Sequence, residues 1–406
     1  MQVEIPSARP DAPATSLQTI GENSLAHHLD LHDRLADRRR ESPVYRGLLE
    51  DCLGYSLEHA VISTSEHAAP FNFSSSISYA MPQWAIQLAG LRPQKRVVIM
   101  VGTLVPFDNR HWPRGFVTDD GRRFNVFSQK VVKSCPMLQP PVDVEARPDL
   151  RKESKAFLAR YPFLRPYLTS AMTFPDAAHQ MSRIMEAIAA KWFPSAPCPV
   201  TIVPLEELAC RMLIRLLEAR DPWLERLLFD APARAAMTAS LMGTFCAWGK
   251  EHGSFLFWNR RGDRLGRFME EDGSLVDGDA RVPITRDALL DGLRSRTLLP
   301  GVFLALMVSS YLPGLAVAGG PRQPAYYLKM IRAANAVGGL FRGEELSTYG
   351  YWTVDMCRCT PYAGADRIPG DGAGLLLTHG KTDPKWLCDQ LAQCPVLPIP
   401  PASDYD

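Results

Sequence analysis

The side chains that could do chemistry gather in two short polar segments and one glycine turn. Glu66 and His67 stand side by side, and an imidazole that titrates near neutrality beside a carboxylate is suited to moving protons. Further on, Asp108, Asn109, Arg110, His111 and Arg114 crowd a segment stiffened by Pro106 and Pro113. Guanidinium forks match carboxylate and phosphate in bidentate geometry, so Arg110 and Arg114 with His111 suit an anion. Asp108 and Asn109 suit the orientation of a nucleophile, and Asn72 is a further substrate-binding candidate. The third group is Gly319-Gly320-Pro321-Arg322-Gln323-Pro324, where glycine lets backbone approach a ligand and aims free N–H groups at anions. Its spacing matches neither the dinucleotide fingerprint nor the phosphate loop. A plain alternative stays open for each: a loop histidine bonded to backbone, solvated arginines, a tight turn.

Other chemistries lack their patterns. There is no Gly-x-Ser-x-Gly elbow and no His-Glu-x-x-His helix. Cys135 and Cys246 could each be nucleophiles, but no local signature marks either. Cys357 and Cys359 with Cys388 and Cys394 invite a metal reading, yet a one-residue gap is tighter than that of structural zinc sites. His28 and His32, four apart on an expected helix, have no third ligand specified. No metal site is expected, and no pattern names a cofactor or an oligomeric state.

The elements that must position these residues follow from periodicity. Residues 59–63 form a short β-rich run that ends in a polar turn. Residues 74–91 carry Ile77, Met81, Trp84, Ala85 and Leu88 at helical spacing, with Pro82 as a kink. Residues 96–102 are a near-continuous apolar run, the pattern of a strand buried on both faces. Strand, helix and buried strand make a βαβ unit, whose parallel crossover brings both strand ends to one sheet edge, where α/β proteins form their binding crevice. The segments 63–72 and 103–114 would face each other there.

A Pro-rich stretch at 136–150 reads as a hinge or linker. Beyond it, the pattern predicts a strand at 199–204, helices at 205–217, 222–229 and 231–248, and a hairpin around Arg261-Gly262-Asp263-Arg264. Thr285 should cap a helix over 287–293, residues 298–311 should form one apolar helix, and 325–337 another. The expected fold class is α/β: a Rossmann-like, mostly parallel sheet flanked by helices, with a helix-rich middle segment. The expected division is a flexible leader over 1–22, a core over 23–330 with a helical insertion at about 150–250, and a C-terminal helix with an irregular lobe over 331–406.

Composition bounds the partners. Of 406 residues, 46% are apolar and 22% charged, which is ordinary globular usage. Lys plus Arg number 45 against 44 Asp plus Glu, so no long-range field gathers nucleic acid or an acidic membrane. The apolar stretch at 298–318 is broken by Pro300, Gly301, Pro313 and Gly314, too often for a bilayer span. Nine scattered cysteines fit a reducing compartment rather than a disulfide scaffold, and a cytoplasmic location is expected. The expected partner is a small polar or anionic substrate, with no nucleic acid and no membrane.

Residues 255–327 resemble one family. The hairpin, the run Leu299-Pro300-Gly301-Val302-Phe303-Leu304, the apolar helix, Leu312-Pro313, and Gly319-Gly320-Pro321 leading to Ala325-Tyr326-Tyr327 are similar to the corresponding region of bacillithiol synthases, cysteine-adding enzymes. The resemblance covers roughly a fifth of the chain and implies a Rossmann-type core related to nucleotidyltransferases. The chain departs from that pattern at Ser65-Glu66-His67, at residues 102–109 and at Arg322-Gln323, where an acidic residue is expected. Three functions follow as expectations. The first is a biosynthetic enzyme, of ligase or transferase type, joining an amine or amino-acid-like substrate to an anionic or activated partner. There Glu66, His67 and Asp108 would be catalytic, and Asn72, Asn109, Arg110, His111, Arg114, Gly319, Gly320, Arg322 and Gln323 would bind substrate. The second is a non-catalytic ligand- or partner-binding protein on an enzyme-derived fold, and the third a nucleotide-dependent transferase.

Overall fold

The computed structural model describes residues 43–56, 60–65, 96–107, 115–117, 123–131, 133–192, 200–242, 256–313 and 323–338. The described helices are α1 (Pro43–Leu53), α2 (Arg151–Arg160), α3 (Arg165–Leu168), α4 (Ala177–Trp192), α5 (Leu205–Glu218), α6 (Pro222–Phe229), α7 (Ala231–Leu241), α8 (Arg286–Arg294), α9 (Val302–Leu306) and α10 (Gln323–Gly338). The strands are β1 (Ala60–Ser65), β2 (Arg96–Val101), β3 (Gly115–Val117), β4 (Arg123–Asn125), β5 (Val200–Pro204), β6 (Phe257–Arg261), β7 (Arg264–Arg267), β8 (Met269–Glu271), β9 (Ser274–Asp277), β10 (Ala280–Pro283) and β11 (Leu298–Pro300).

The architecture is mixed α/β with small sheets. β1, β2 and β5 form a three-stranded sheet in the order β1-β2-β5, both pairs parallel. Three antiparallel groups complete the described strands: β10-β9-β8, β11-β6-β7 and the β3-β4 hairpin. Most described strands are therefore antiparallel, contrary to the expectation of a mostly parallel sheet. The difference has a local cause. Short turns such as Gly262-Asp263 and Asp272-Gly273 join neighbouring strands directly, and a parallel pair cannot be joined so briefly.

The middle strand of the parallel sheet is apolar on both faces because both are covered. Val98, Ile99, Met100 and Val101 are all buried. α5 supplies part of the cover through Leu205, Leu208, Ala209, Met212, Leu213, Leu216 and Leu217, spaced three and four apart along one stripe and all buried. α9 packs on α5 with Phe303, Leu304 and Leu306 in the same core. Asp221 caps α6 by accepting from the backbone N of Leu224 at 2.8 Å, and it also accepts from the Tyr45 hydroxyl at 2.7 Å, tying α1 to α6.

Several expectations change in detail. Residues 136–150 are no linker: Pro136, Met137, Leu138 and Val144 are buried, and Val144 N donates to Leu168 O. Proline there ends local helix without releasing the chain from the core. The helix expected over 298–311 begins later. Leu298–Pro300 pair antiparallel with β6, Gly301 N donates to Leu256 O, and only then does α9 start, passing into a π turn at Met307–Tyr311. The middle segment contributes α2 to α7 and, through β5, the third strand of the parallel sheet. Among the described residues no helix is long and apolar enough to cross a membrane.

Gly292 in α8 lies where a Cβ would come within 2.5 Å of the Leu298 side chain. The absent side chain lets β11 return tightly against α8 and shapes the turn 295–297 between them. Gly292→Ala is expected to cost about 1–3 kcal/mol of overpacking strain, read as a lower urea midpoint.

Candidate active site at the carboxyl edge of the parallel sheet

The parallel register brings three strand ends level: Ser65 pairs with Val101, and Val101 with Pro204. Of the sequence-predicted site residues, Glu66, His67, Asn72, Asp108, Asn109, Arg110, His111, Arg114, Gly319, Gly320 and Arg322 lie outside the described residues, as do Cys246, Cys357, Cys359, Cys388 and Cys394. Gln323 is the first residue of α10. The described part of this edge holds other polar groups, and the site is built from those.

The chain leaving β2 is held by one carboxylate. Glu206, the second residue of α5, accepts from Thr103 N and from Thr103 Oγ1, each at 2.7 Å, and from Leu104 N at 3.4 Å. β5 runs straight into α5, so the edge of one strand clasps the exit of its neighbour. Burial pushes the Glu206 carboxyl above its ordinary range, and the hydrogen bonds from Thr103 and Leu104 pull partly back.

Residues 134–139 run across this exit. Phe107 N donates to Ser134 O at 2.9 Å, Met137 N to Thr103 O at 3.4 Å, and Gln139 Nε2 to Ser134 Oγ at 2.8 Å. Gln139 O in turn accepts from Ala177 N at 2.8 Å, the first residue of α4. Cys135 sits within this strap, and burial, reinforced by the Glu206 charge, pushes its thiol up to about 12. Such a thiol stays protonated at neutral pH, which removes Cys135 as a nucleophile.

The N-terminus of α4 carries a carboxylate–imidazole pair. Asp176 Oδ1 accepts from His179 N at 2.9 Å, capping the helix, and lies 2.8 Å from His179 Nδ1. One oxygen thus caps the helix and orients the ring, leaving Nε2 to face outward from the pair. His179 is 29% exposed and Asp176 8% exposed at their side chains, so the ring is reachable while its carboxylate is shielded. The second oxygen, Oδ2, is buried without a hydrogen-bond donor. Its nearest cation is Arg296 Nη1 at 3.7 Å, an ion-pair distance too long for a hydrogen bond.

Arg296 also fixes where this pair stands. Its Nη2 lies 2.5 Å from Glu207 Oε2, on the first turn of α5. One guanidinium therefore spans from the residue that follows Glu206 to the cap of α4, which sets Asp176 and His179 beside the end of β5. Lower on α4, Glu186 Oε1 accepts from Ile202 N in β5 at 2.8 Å. At about 1.5 Å per residue, His179 is roughly 10 Å up the helix from that point, and it passes the strand end only slightly.

These are the groups that sequence reasoning missed. The available signal was Pro175-Asp176 before an apolar-periodic run, a cap pattern with histidine three residues on. The crossover argument points only to the segments after the first two strands, whereas a helix preceding the third also delivers its N-terminus to this edge. Among the described residues no group of three His, Cys, Asp or Glu could hold a metal ion. The arrangement suits proton transfer at His179.

The raised Glu206 makes a pH prediction. Its folded proton affinity exceeds the unfolded one, so the stability it contributes is complete below the ordinary carboxylate range and lost as pH rises through the raised value. Glu206→Gln should flatten this fall, because an amide oxygen can still accept from Thr103 N. Glu206→Leu should cost about 1–3 kcal/mol at every pH by stranding buried donors. Urea midpoints across pH distinguish the two. No protein-family model matches this chain, and no curated protein matches it in sequence.

Proposed function

We propose that the chain is a Rossmann-like α/β enzyme of small-molecule biosynthesis, with its active site at the carboxyl edge of β1, β2 and β5. The observation that carries the reading is the Asp176–His179 pair, 2.8 Å between Oδ1 and Nδ1, beside the end of a parallel sheet. In open α/β sheets ligands bind outside the carboxyl ends of the strands, and an imidazole oriented by a shielded carboxylate is a general base or acid. The reaction is the joining of an amine or amino-acid-like substrate to an anionic or activated partner, as the resemblance of residues 255–327 to bacillithiol synthases implies. His179 would take the proton from the attacking amine, and Asp176 would hold the ring in the competent tautomer. Glu66, His67 and Asp108 follow the same two strands in sequence, and Asn72, Asn109, Arg110, His111, Arg114, Gly319, Gly320, Arg322 and Gln323 keep their proposed part in holding substrate. The substrate is small and polar, neither nucleic acid nor membrane. Buried free cysteines at 52, 135 and 210 support a cytoplasmic location.

The test is turnover with a panel of amino acids and amines against activated and anionic partners, with the condensed product followed by mass spectrometry. His179→Gln should lower kcat by about 10²–10⁴. Asp176→Asn, which keeps a capping oxygen but loses the charge, should lower it with little change in stability. Turnover that survives His179→Gln but is lost in His67→Ala would move the base to the segment after β1. A ligand bound tightly with no turnover would replace the enzyme by a binding protein.

A further inference from the structure

Arg296 occupies a backbone position that arginine does not favour. α8 ends in a Schellman turn: Arg296 N donates to Leu293 O at 3.1 Å and Thr297 N to Gly292 O at 2.9 Å. The residue in the left-handed position of that turn is Arg296, at φ 56°. Glycine is the usual occupant, because a Cβ is crowded there. What sets this side chain apart is what it reaches.

The guanidinium joins three elements. It stands at the end of α8, pairs with Glu207 on α5, and lies 3.7 Å from Asp176 Oδ2 at the cap of α4. Asp176 Oδ1 is fully used by His179 N and Nδ1, while Oδ2 is buried with no hydrogen-bond donor. A buried carboxylate oxygen with neither donor nor cation is strongly disfavoured. Without Arg296 the carboxylate would turn toward solvent, and the geometry at Nδ1 would go with it. The other charged groups around the pair do not replace it. Arg183, one turn along α4, is paired to Glu186. Asp143, on the segment whose Val142 bonds Gln180, accepts from Glu145 N, Ala146 N and Ser170 N and carries the wrong sign. Glu207 is itself the partner of Arg296.

We propose that Arg296 is a positioning residue: it holds the Asp176 carboxylate in place from its unbonded side and so keeps the His179 imidazole oriented for proton transfer. The proposal rests on the reading of Asp176 and His179 as the acid/base pair, but its test does not need the substrate.

The chain supplies its own control. Arg220 ends α5 in the same kind of turn, with Arg220 N donating to Leu217 O and Asp221 N to Leu216 O, and it has the same φ of 56°. Among the described residues no ion pair to Arg220 is found. Replacing either arginine by glycine relieves the same strain, so a role confined to the backbone turn predicts the same result at both sites: an unchanged or higher denaturation midpoint and an undisturbed imidazole.

The experiment is proton NMR of the full chain, following the downfield Nδ1–H of the bonded imidazole, assigned by its loss in His179→Gln. In the wild type and in Arg220→Gly this proton should be present and slow to exchange. In Arg296→Gly, under conditions where the variant is folded, it should vanish or exchange about tenfold faster, the equivalent of about 1.4 kcal/mol of lost protection. Arg296→Lys should restore part of it, since an ammonium supplies charge without the fork. If Arg296→Gly fails to fold, Arg296→Lys against Arg296→Gln decides by the same resonance. An Nδ1–H unchanged in Arg296→Gly, or lost equally in Arg220→Gly, would overturn the proposal. A wild type with no such proton would instead remove the Asp176–His179 pair, and the proposed function with it.

Discussion

The Glu206 carboxylate is the constraint on which the carboxyl edge of the sheet depends. It is buried, and it accepts both the backbone N and the hydroxyl of Thr103, each at 2.7 Å. An apolar residue at 206 would leave the chain after Val101 with buried donors and no acceptor. A water could serve those donors only if the core opened. With glutamate in place, the exit from β2 is bound to the helix that follows β5, and the two strands end together. The cost of burying that carboxyl is visible in its raised proton affinity, which the hydrogen bonds from Thr103 and Leu104 offset in part.

From this tie a thread of polar contacts runs outward. Thr103 O meets Met137 N, Gln139 reaches Ser134, Gln139 O meets Ala177 N, and Asp176 caps the helix that Ala177 begins. Each link satisfies a backbone or amide group that the core would otherwise strand. The thread therefore does two things at once. It makes the edge of the sheet rigid, and it delivers the start of α4, with His179, to that edge. Rigid support of this kind is what a proton-transferring ring needs, since a small misplacement costs heavily in rate.

How far the sequence revealed this follows from the kind of signal involved. β2 was legible because a run of Val, Val, Ile, Met and Val can only be a strand buried on both faces, and β5, α5 and α6 were legible from period and length. The helix expected over 287–293 was legible from its cap at Thr285, which bonds Ala288 N, and α8 extends it by one residue at each end. β11 is hidden in the sequence because Leu298 and Leu299 continue the apolar pattern of α9; only pairing with Trp258 and Asn259 makes them strand, and pairing is not local. The same holds at 136–150, where proline signals an interruption of helix and says nothing of burial. In the site, the crevice edge could be reasoned from the parallel crossover. Asp176 and His179 carried a local cap signal, but the meeting of Arg296 with Asp176 and Glu207, and of Glu206 with Thr103, spans separations of 89 residues and more and arises by packing alone.

Caps explain why those groups are where they are. A helix that starts at the carboxyl edge of a sheet exposes orphan N–H groups there, and a carboxylate is the natural group to satisfy them. Asp176 meets that need with Oδ1, and the same oxygen faces the His179 ring because one turn of helix places residue 179 above residue 176. The contact at Oδ1 thus arises from a structural demand. What capping does not explain is Arg296, set in a left-handed turn that glycine would fill with less strain, its guanidinium directed at Glu207 and at the oxygen of Asp176 that the cap does not use. Arg220 holds the same strained position without an ion pair among the described residues, so it is the reach of Arg296 to two carboxylates, and not its backbone, that goes beyond an ordinary helix end.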